Sequence, residues 1–373
     1  MTRLFMIKLF SISRQLLYLL LLTGCINTSA SYGNHILCIS VIKINKLGTT
    51  CQKDHEIISD EINQLNLSLQ SLLIKNDFDG SRLIVDRIIQ KINNDNIGSK
   101  TLSDSYYFIG VYYSFTRNLN KAINYFKLSV ALREKNQEYD ERYARALYNL
   151  GTLYGRLGDF KRLEDYSMNS LDIEKFFFGE SSPDLISTYS SLIIAYIELQ
   201  EYEKAINYSN IALTIANNNP DRVSPVILAD LYNNLGVCFY RLADFSKAKI
   251  YLDKTESIYK ISHINNDGNY MNLMNSLAVT YGALGLSEKS DEYYEKGIAL
   301  AVSNNSSLAY NIINSYSGIL GNAGNEKKGK ALLSGVLVRA KAKFGEDSRS
   351  YIVVLNNYAD YLREYKIDNA IFE

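Results

Sequence analysis

The sequence has no tryptophan, three prolines, three histidines and four cysteines in 373 residues, and each scarcity excludes something. Glycine and proline together make only 24 residues, too few for an all-β chain that turns every ten positions or for a low-complexity linker protein. Three histidines, none near a partner in the repeated part of the chain, leave histidine-based catalysis without support. Charge of one sign is also missing: 40 basic and 40 acidic residues cancel, so no overall field draws nucleic acid or an anionic membrane surface to the chain. No phosphate-binding glycine loop, G-x-S-x-G elbow or H-E-x-x-H helix occurs. What the chain does have is apolar residues, 47% of the total, and 30 tyrosines, ample material for a continuous core.

The first 24 residues read as a targeting segment and stand apart from the fold. Arg3, Lys8 and Arg14 precede the apolar run Leu16–Leu22, which is short of the about 20 residues a bilayer-spanning helix needs. The run ends in Leu22-Thr23-Gly24-Cys25, which resembles the bacterial lipoprotein signal, a small-residue cleavage site directly before a cysteine. The resemblance implies that Cys25 becomes the mature N-terminus and carries lipid, and that Ile26, where an aspartate would retain the protein at the inner membrane, directs it to the outer membrane of a Gram-negative host. Two other readings stand beside it: an ordinary cysteine after a secretory signal, and an uncleaved anchor over residues 4–22. Cys38 and Cys51 lie in the stretch 25–55 that follows. After export, a disulfide closing that short loop is the leading expectation, with a zinc site from His35, Cys38, Cys51 and His55 as the alternative.

From residue 56 on, the chain repeats itself. Asn149-Leu150-Gly151 with Tyr154 returns as Ser191-Leu192-Ile193 with Tyr196, Asn234-Leu235-Gly236 with Phe239, and Ser276-Leu277-Ala278 with Tyr281. The leucines are 42, 43 and 42 residues apart. Each motif is followed by a short turn (Gly158-Asp159-Phe160, Gln200-Glu201-Tyr202, Ala243-Asp244-Phe245, Leu286-Ser287-Glu288), a compact residue (Leu163, Ala205, Ala248, Ser290) and, three positions later, a tyrosine (Tyr166, Tyr208, Tyr251, Tyr293). The register extends upstream through Ile109-Gly110 and the turn Asn76-Asp77-Phe78, and downstream through Gly324-Asn325-Glu326 to a partial unit over 351–370.

This pattern resembles the tetratricopeptide repeat, in which Leu-Gly-x-x-Tyr on one helix meets Ala-x-x-x-aromatic on the next. The long period and the matching connectors Gly179–Asp184 and Gly345–Ser350 resemble the kinesin-light-chain type. The resemblance implies an all-α, right-handed superhelical solenoid of about eight antiparallel helix pairs over residues 56–373. Small residues would let paired helices approach, and aromatics would fill the gap to the next pair.

In such solenoids the first helix of each pair lines the concave side. The resemblance therefore gives meaning to the asparagines just before the leucine position: Asn149, Asn233, Asn234, Asn275, Asn314, Asn356 and Asn357. A carboxamide both donates and accepts, so a row of them holds an extended peptide whatever its sequence; helix tethering by a common residue is the alternative. Tyr107, Tyr148, Arg156, Glu198, Tyr240, Arg241 and Glu364 join the candidates, mixed in charge and without the array of cations that clamps a terminal carboxylate. Cys238 reads as a buried small hydrophobe. The expected function is non-catalytic binding of a protein or peptide, without cofactor, metal or nucleic acid, by a scaffold anchored to the envelope membrane through lipid. An assembly factor for an envelope or pilus complex and a peptide-sensing receptor are the alternatives.

Overall fold

A computed structural model of the chain describes residues 57–94, 97–263, 268–303 and 308–366. The chain divides into two compact units, Met1–Glu61 and Ile62–Glu373. Of the first unit only 57–61 are described, and they are helical. Cys25, Cys38, Cys51, His35 and His55 lie outside the described residues.

The second unit is built entirely of helices among the described residues. The first, α1, covers 57–74, with 62–74 in this unit. Then follow α2 (Phe78–Asn94), α3 (Ser99–Phe115), α4 (Leu119–Asn136), α5 (Glu141–Arg156), α6 (Phe160–Phe178), a short 3₁₀ turn (Pro183–Leu185), α7 (Ile186–Glu198) and α8 (Tyr202–Asn218). The rest are α9 (Pro225–Arg241), α10 (Phe245–Ile261), α11 (Gly268–Ala283), α12 (Ser287–Ser303), α13 (Leu308–Asn322), α14 (Glu326–Phe344) and α15 (Arg349–Glu364). Odd-numbered helices are the first (A) of each pair and even-numbered helices the second (B). Seven pairs and a final A helix are thus described.

One backbone device sets the register. Asn76, Arg117, Gly158, Gln200, Ala243, Gly285, Gly324 and Lys366 all have φ between 50° and 80°, the left-handed conformation that ends a helix. They are 41, 41, 42, 43, 42, 39 and 42 residues apart, so the expected 42-residue period is present as geometry. The fourth turn of the sequence motif is centred on Gly285 rather than Leu286. In each of the first seven, the next amide reaches back five residues to a helix A carbonyl. Asn118 N–H donates to Tyr113 O at 2.9 Å, Asp159 to Tyr154 at 2.9 Å, Glu201 to Tyr196 at 2.8 Å and Asp244 to Phe239 at 2.9 Å. That same residue then opens helix B. The Asn118, Asp159 and Asp244 carboxamide or carboxylate oxygens accept from the amides of Lys121, Arg162 and Lys247, satisfying donors the helix start would otherwise leave free.

Packing follows from the repeat. The compact positions Ala122, Ala205 and Ala248 are fully buried and Leu163 nearly so. At Gly151 and Gly236 the neighbouring B helix comes so near that an added Cβ would lie 3.3 Å from Leu163 O and 3.4 Å from Ala248 O. The aromatics of the motif behave differently from expectation. Tyr113 stacks on Tyr125, Tyr154 on Tyr166, Tyr196 on Tyr208, Phe239 on Tyr251 and Tyr281 on Tyr293, with ring centroids 5.4–5.6 Å apart. These stacks join the two helices of one pair, and a cation four residues after each turn covers the helix A ring: Lys121, Arg162, Lys204, Lys247 and Lys289. Several tyrosines also reach the preceding pair through their hydroxyls, and Tyr259–Tyr270 and Tyr294–Tyr316 pack ring on ring across a pair boundary. Tyr196 donates to Glu164, Tyr281 to Asp253 and Tyr293 to Glu256, all at 3.1 Å. The flat ring fills the intra-pair space while its polar tip reaches the preceding B helix.

From α3 onward the backbone of each A helix comes close to that of the next A helix, whereas the backbones of successive B helices among α2–α14 stay apart and meet only through long side chains such as Tyr293 and Glu256. Within this unit the A helices therefore lie on the inner, concave side.

Candidate functional site

Counting ten residues back from each left-handed turn residue gives Asn66, Tyr107, Tyr148, Ser190, Asn233, Asn275, Asn314 and Asn356. All eight carry hydrogen-bonding side chains and five are asparagine. They form one row along the A helices. Asn149, Asn234 and Asn357 sit one residue further on, in a second, adjacent row; the sequence motif mixed the two registers. Asn314 and Asn356 are exposed, while Tyr148, Asn149, Asn233, Asn234 and Asn275 are half-buried. Arg241 does not join them. It is exposed in the last turn of α9, about 12 Å along the axis from Asn233 at 1.5 Å per residue. Arg156, Glu198 and Glu364 are likewise exposed at the ends of their helices.

The asparagine row contains unpaired acceptors. Oδ1 of Asn66, Asn233 and Asn275 is shielded from solvent and has no hydrogen-bond partner. Asn66 Nδ2 donates to Ser105 Oγ at 3.2 Å, so only its oxygen is left over. A buried acceptor without a donor costs about 1–3 kcal/mol, a cost that an incoming N–H removes. Asn66 was not among the sequence candidates. Its unit lacks the Leu-Gly motif, and only its spacing from the Asn76 turn reveals it.

Toward the N-terminal half, two cavities adjoin the row. One of about 710 Å³ is lined by α1, α3 and α5, with apolar Leu73, Ile74, Val111 and Phe115 facing Asp104 and Arg142. Arg133, fully buried, pairs with Asp104 and Asp140, and Arg142 also pairs with Asp104. Burial pushes the Asp104 carboxyl above the usual aspartate range, outweighing Arg142 and Arg133, which pull it down. The second cavity, about 350 Å³, shares Tyr107 and Arg145 with the first and adds Tyr148, Asn149, Glu174 and Thr188. The Tyr107 hydroxyl is pushed up by burial, partly offset by Arg145, Arg142 and Asn149. The Cys238 thiol is fully buried and unpaired, and burial raises it to about 12, so it holds its proton at neutral pH. Among the described residues no three His, Cys, Asp or Glu side chains gather as metal ligands, and no helix is long and apolar enough to cross a membrane.

A register of left-handed turns, paired helices and an inner face of A helices defines an all-α solenoid of repeated helix pairs, the architecture of binding scaffolds. The family model described as tetratricopeptide repeat matches residues 142–218 and 184–261, and a second model of the same description matches 103–136 and 272–301. The chain carries tetratricopeptide repeats. No curated protein matches the sequence. Among solved structures, the chain is similar to the apo form of the quorum sensor NprR from B. thuringiensis (15% identity, 89% of this chain and 91% of that one, TM-score 0.65). NprR in complex with its cognate peptide NprX is similar at 16% identity over 89% and 95%, with a TM-score of 0.55. A Rap protein complexed with competence and sporulation factor is similar at 16% over 83% and 99%, with a TM-score of 0.50. At these identities the likeness is one of fold.

Proposed function

We propose that the solenoid is a non-catalytic scaffold that holds an extended peptide along the asparagine row of its A helices. The observation that carries this reading is the repeated, buried and unpartnered Oδ1 of Asn66, Asn233 and Asn275. Each is an acceptor awaiting a backbone N–H, and the repeat spaces them along one face. Backbone-directed contacts of this kind suit a chain with no single-sign groove charge. The similarity to NprR in complex with its cognate peptide and to a Rap protein complexed with competence and sporulation factor favours peptide sensing over envelope assembly as the setting. The second part of the proposal is the address. The Leu22–Cys25 motif supports lipid attachment at Cys25 and anchoring to a bacterial envelope membrane, the outer membrane facing the periplasm in a Gram-negative host.

The groove is tested by a random-octapeptide array probed with wild type and the Asn233→Ala/Asn275→Ala double variant. Retention is expected to fall at least tenfold with no loss of thermal stability; equal retention by both proteins refutes the assignment. A Cys25→Ser variant that stays in the membrane fraction of intact cells refutes the anchor.

A further inference from the structure

The 350 Å³ cavity has a wall that backbone recognition leaves unexplained. Glu174, in the last turns of α6, is only 7% exposed and lines this cavity, yet no Lys or Arg forms an ion pair with it among the described residues. The charges that face it are already engaged. Arg145 of α5 pairs with Glu141 on its own helix, Asp184 of the connector pairs with Arg222, and Lys175 of α6 lies over the Tyr189 ring. α7 presents only Ser187 and Thr188, and α3 only Tyr107. A buried carboxylate without a counter-charge is costly, so the carboxyl must meet that cost another way.

The hydroxyls around it show how. Thr188 Oγ1 donates to Glu174 Oε2 at 2.7 Å. Ser170 Oγ lies 3.1 Å from Glu174 Oε1 and 2.8 Å from the Ala144 carbonyl. Ser170 has one proton, and a carbonyl only accepts. With that proton on Ala144 O, the contact to Oε1 needs a proton from the acid. A protonated Glu174 donating to Ser170 satisfies both contacts, whereas a carboxylate leaves the one Ser170 proton shared between two acceptors. Burial, which raises its carboxyl above the ordinary glutamate range against the pull of Thr188, Ser170 and Arg145, is consistent with this.

We propose that this cavity is a cation-binding subsite of the groove, taking the ammonium or guanidinium of a basic side chain on the bound peptide against Glu174. This rests on the peptide reading above. On binding, the Oε1 proton leaves to solvent, the carboxylate forms and the cation supplies its counter-charge. Tyr107, Tyr148 and Phe178 in the lining give aromatic walls for the aliphatic stem and the cation.

The test uses the full chain on an octapeptide array in which every lysine peptide has an acetyl-lysine twin. Wild type is expected to prefer lysine at one fixed peptide position by about tenfold or more, with the preference shrinking at acid pH as Glu174 keeps its proton. Glu174→Gln, an isostere of the neutral acid, is expected to lose the preference for lysine over acetyl-lysine. Retained peptides with no lysine preference in wild type, a preference indifferent to pH, or one undiminished in Glu174→Gln overturns the subsite alone. Retention of no peptide at all by wild type overturns the groove reading and the subsite with it.

Discussion

Exchanging glycine and alanine between two of the left-handed turns isolates the backbone energy that sets the repeat register. At Gly158 (φ 80°) an added Cβ would meet no heavy atom within 4 Å, so Gly158→Ala changes conformational energy and nothing in packing. Ala243 holds the equivalent place at φ 59° and is exposed, so Ala243→Gly removes no buried contact. A left-handed non-glycine residue costs roughly 1–2 kcal/mol. Alanine's smaller freedom in the unfolded chain offsets roughly 0.4–1 kcal/mol of that. Gly158→Ala should therefore destabilise by about 0.5–1 kcal/mol, and Ala243→Gly should stabilise by a similar amount. The two turns are 85 residues apart and share no partner, so the double variant should return near the wild-type value. Urea denaturation followed by far-ultraviolet circular dichroism, with hydrogen exchange at the α5–α6 and α9–α10 turns, reads both. Stabilisation by Gly158→Ala, or destabilisation by Ala243→Gly, would show that these turns are not held in the left-handed region and would remove the basis of the register.

Two further outcomes follow from buried charge. Arg133→Met keeps the aliphatic stem but leaves Asp104 with Arg142 alone; breaking such a buried pair is expected to cost about 3–5 kcal/mol in a denaturation experiment, and a change within experimental error would mean the network contributes no net stability. For Glu174 the sign runs with protonation. Its folded-state carboxyl lies above the usual glutamate value of 4.5, so the stability it contributes is present below that value and is lost as pH rises through its folded-state pKa. Glu174→Gln should match wild type at acid pH and exceed it at neutral pH, and melting curves that run parallel across the range would contradict a raised carboxyl.

The sequence by itself determined the architecture. Leu150, Leu192, Leu235 and Leu277 recur at the period of a helix pair, and Ala205 and Ala248 occupy places where only a compact side chain lets two helices close. Local chemistry suffices for that, because each pair packs mainly on its neighbours. The turn residues were harder to read. Arg117, Gln200 and Ala243 adopt a conformation their side chains disfavour, held there by the reach of the next amide back into helix A. The candidate site divides the same way. Asn233 and Asn275 stood out as repeated carboxamides, yet their separation from the neighbouring row of Asn149 and Asn234 depends on helix rotation, which a linear motif does not express. Asn66 sat in a unit without the motif. Glu174 looked like any helix-end acid, and it became a candidate only because Ser170, Ala144 and Thr188, from three helices, converge on it. What tertiary structure decided was which polar atoms lose both water and partner, since that depends on what lies across from each side chain and not on what lies beside it in the chain.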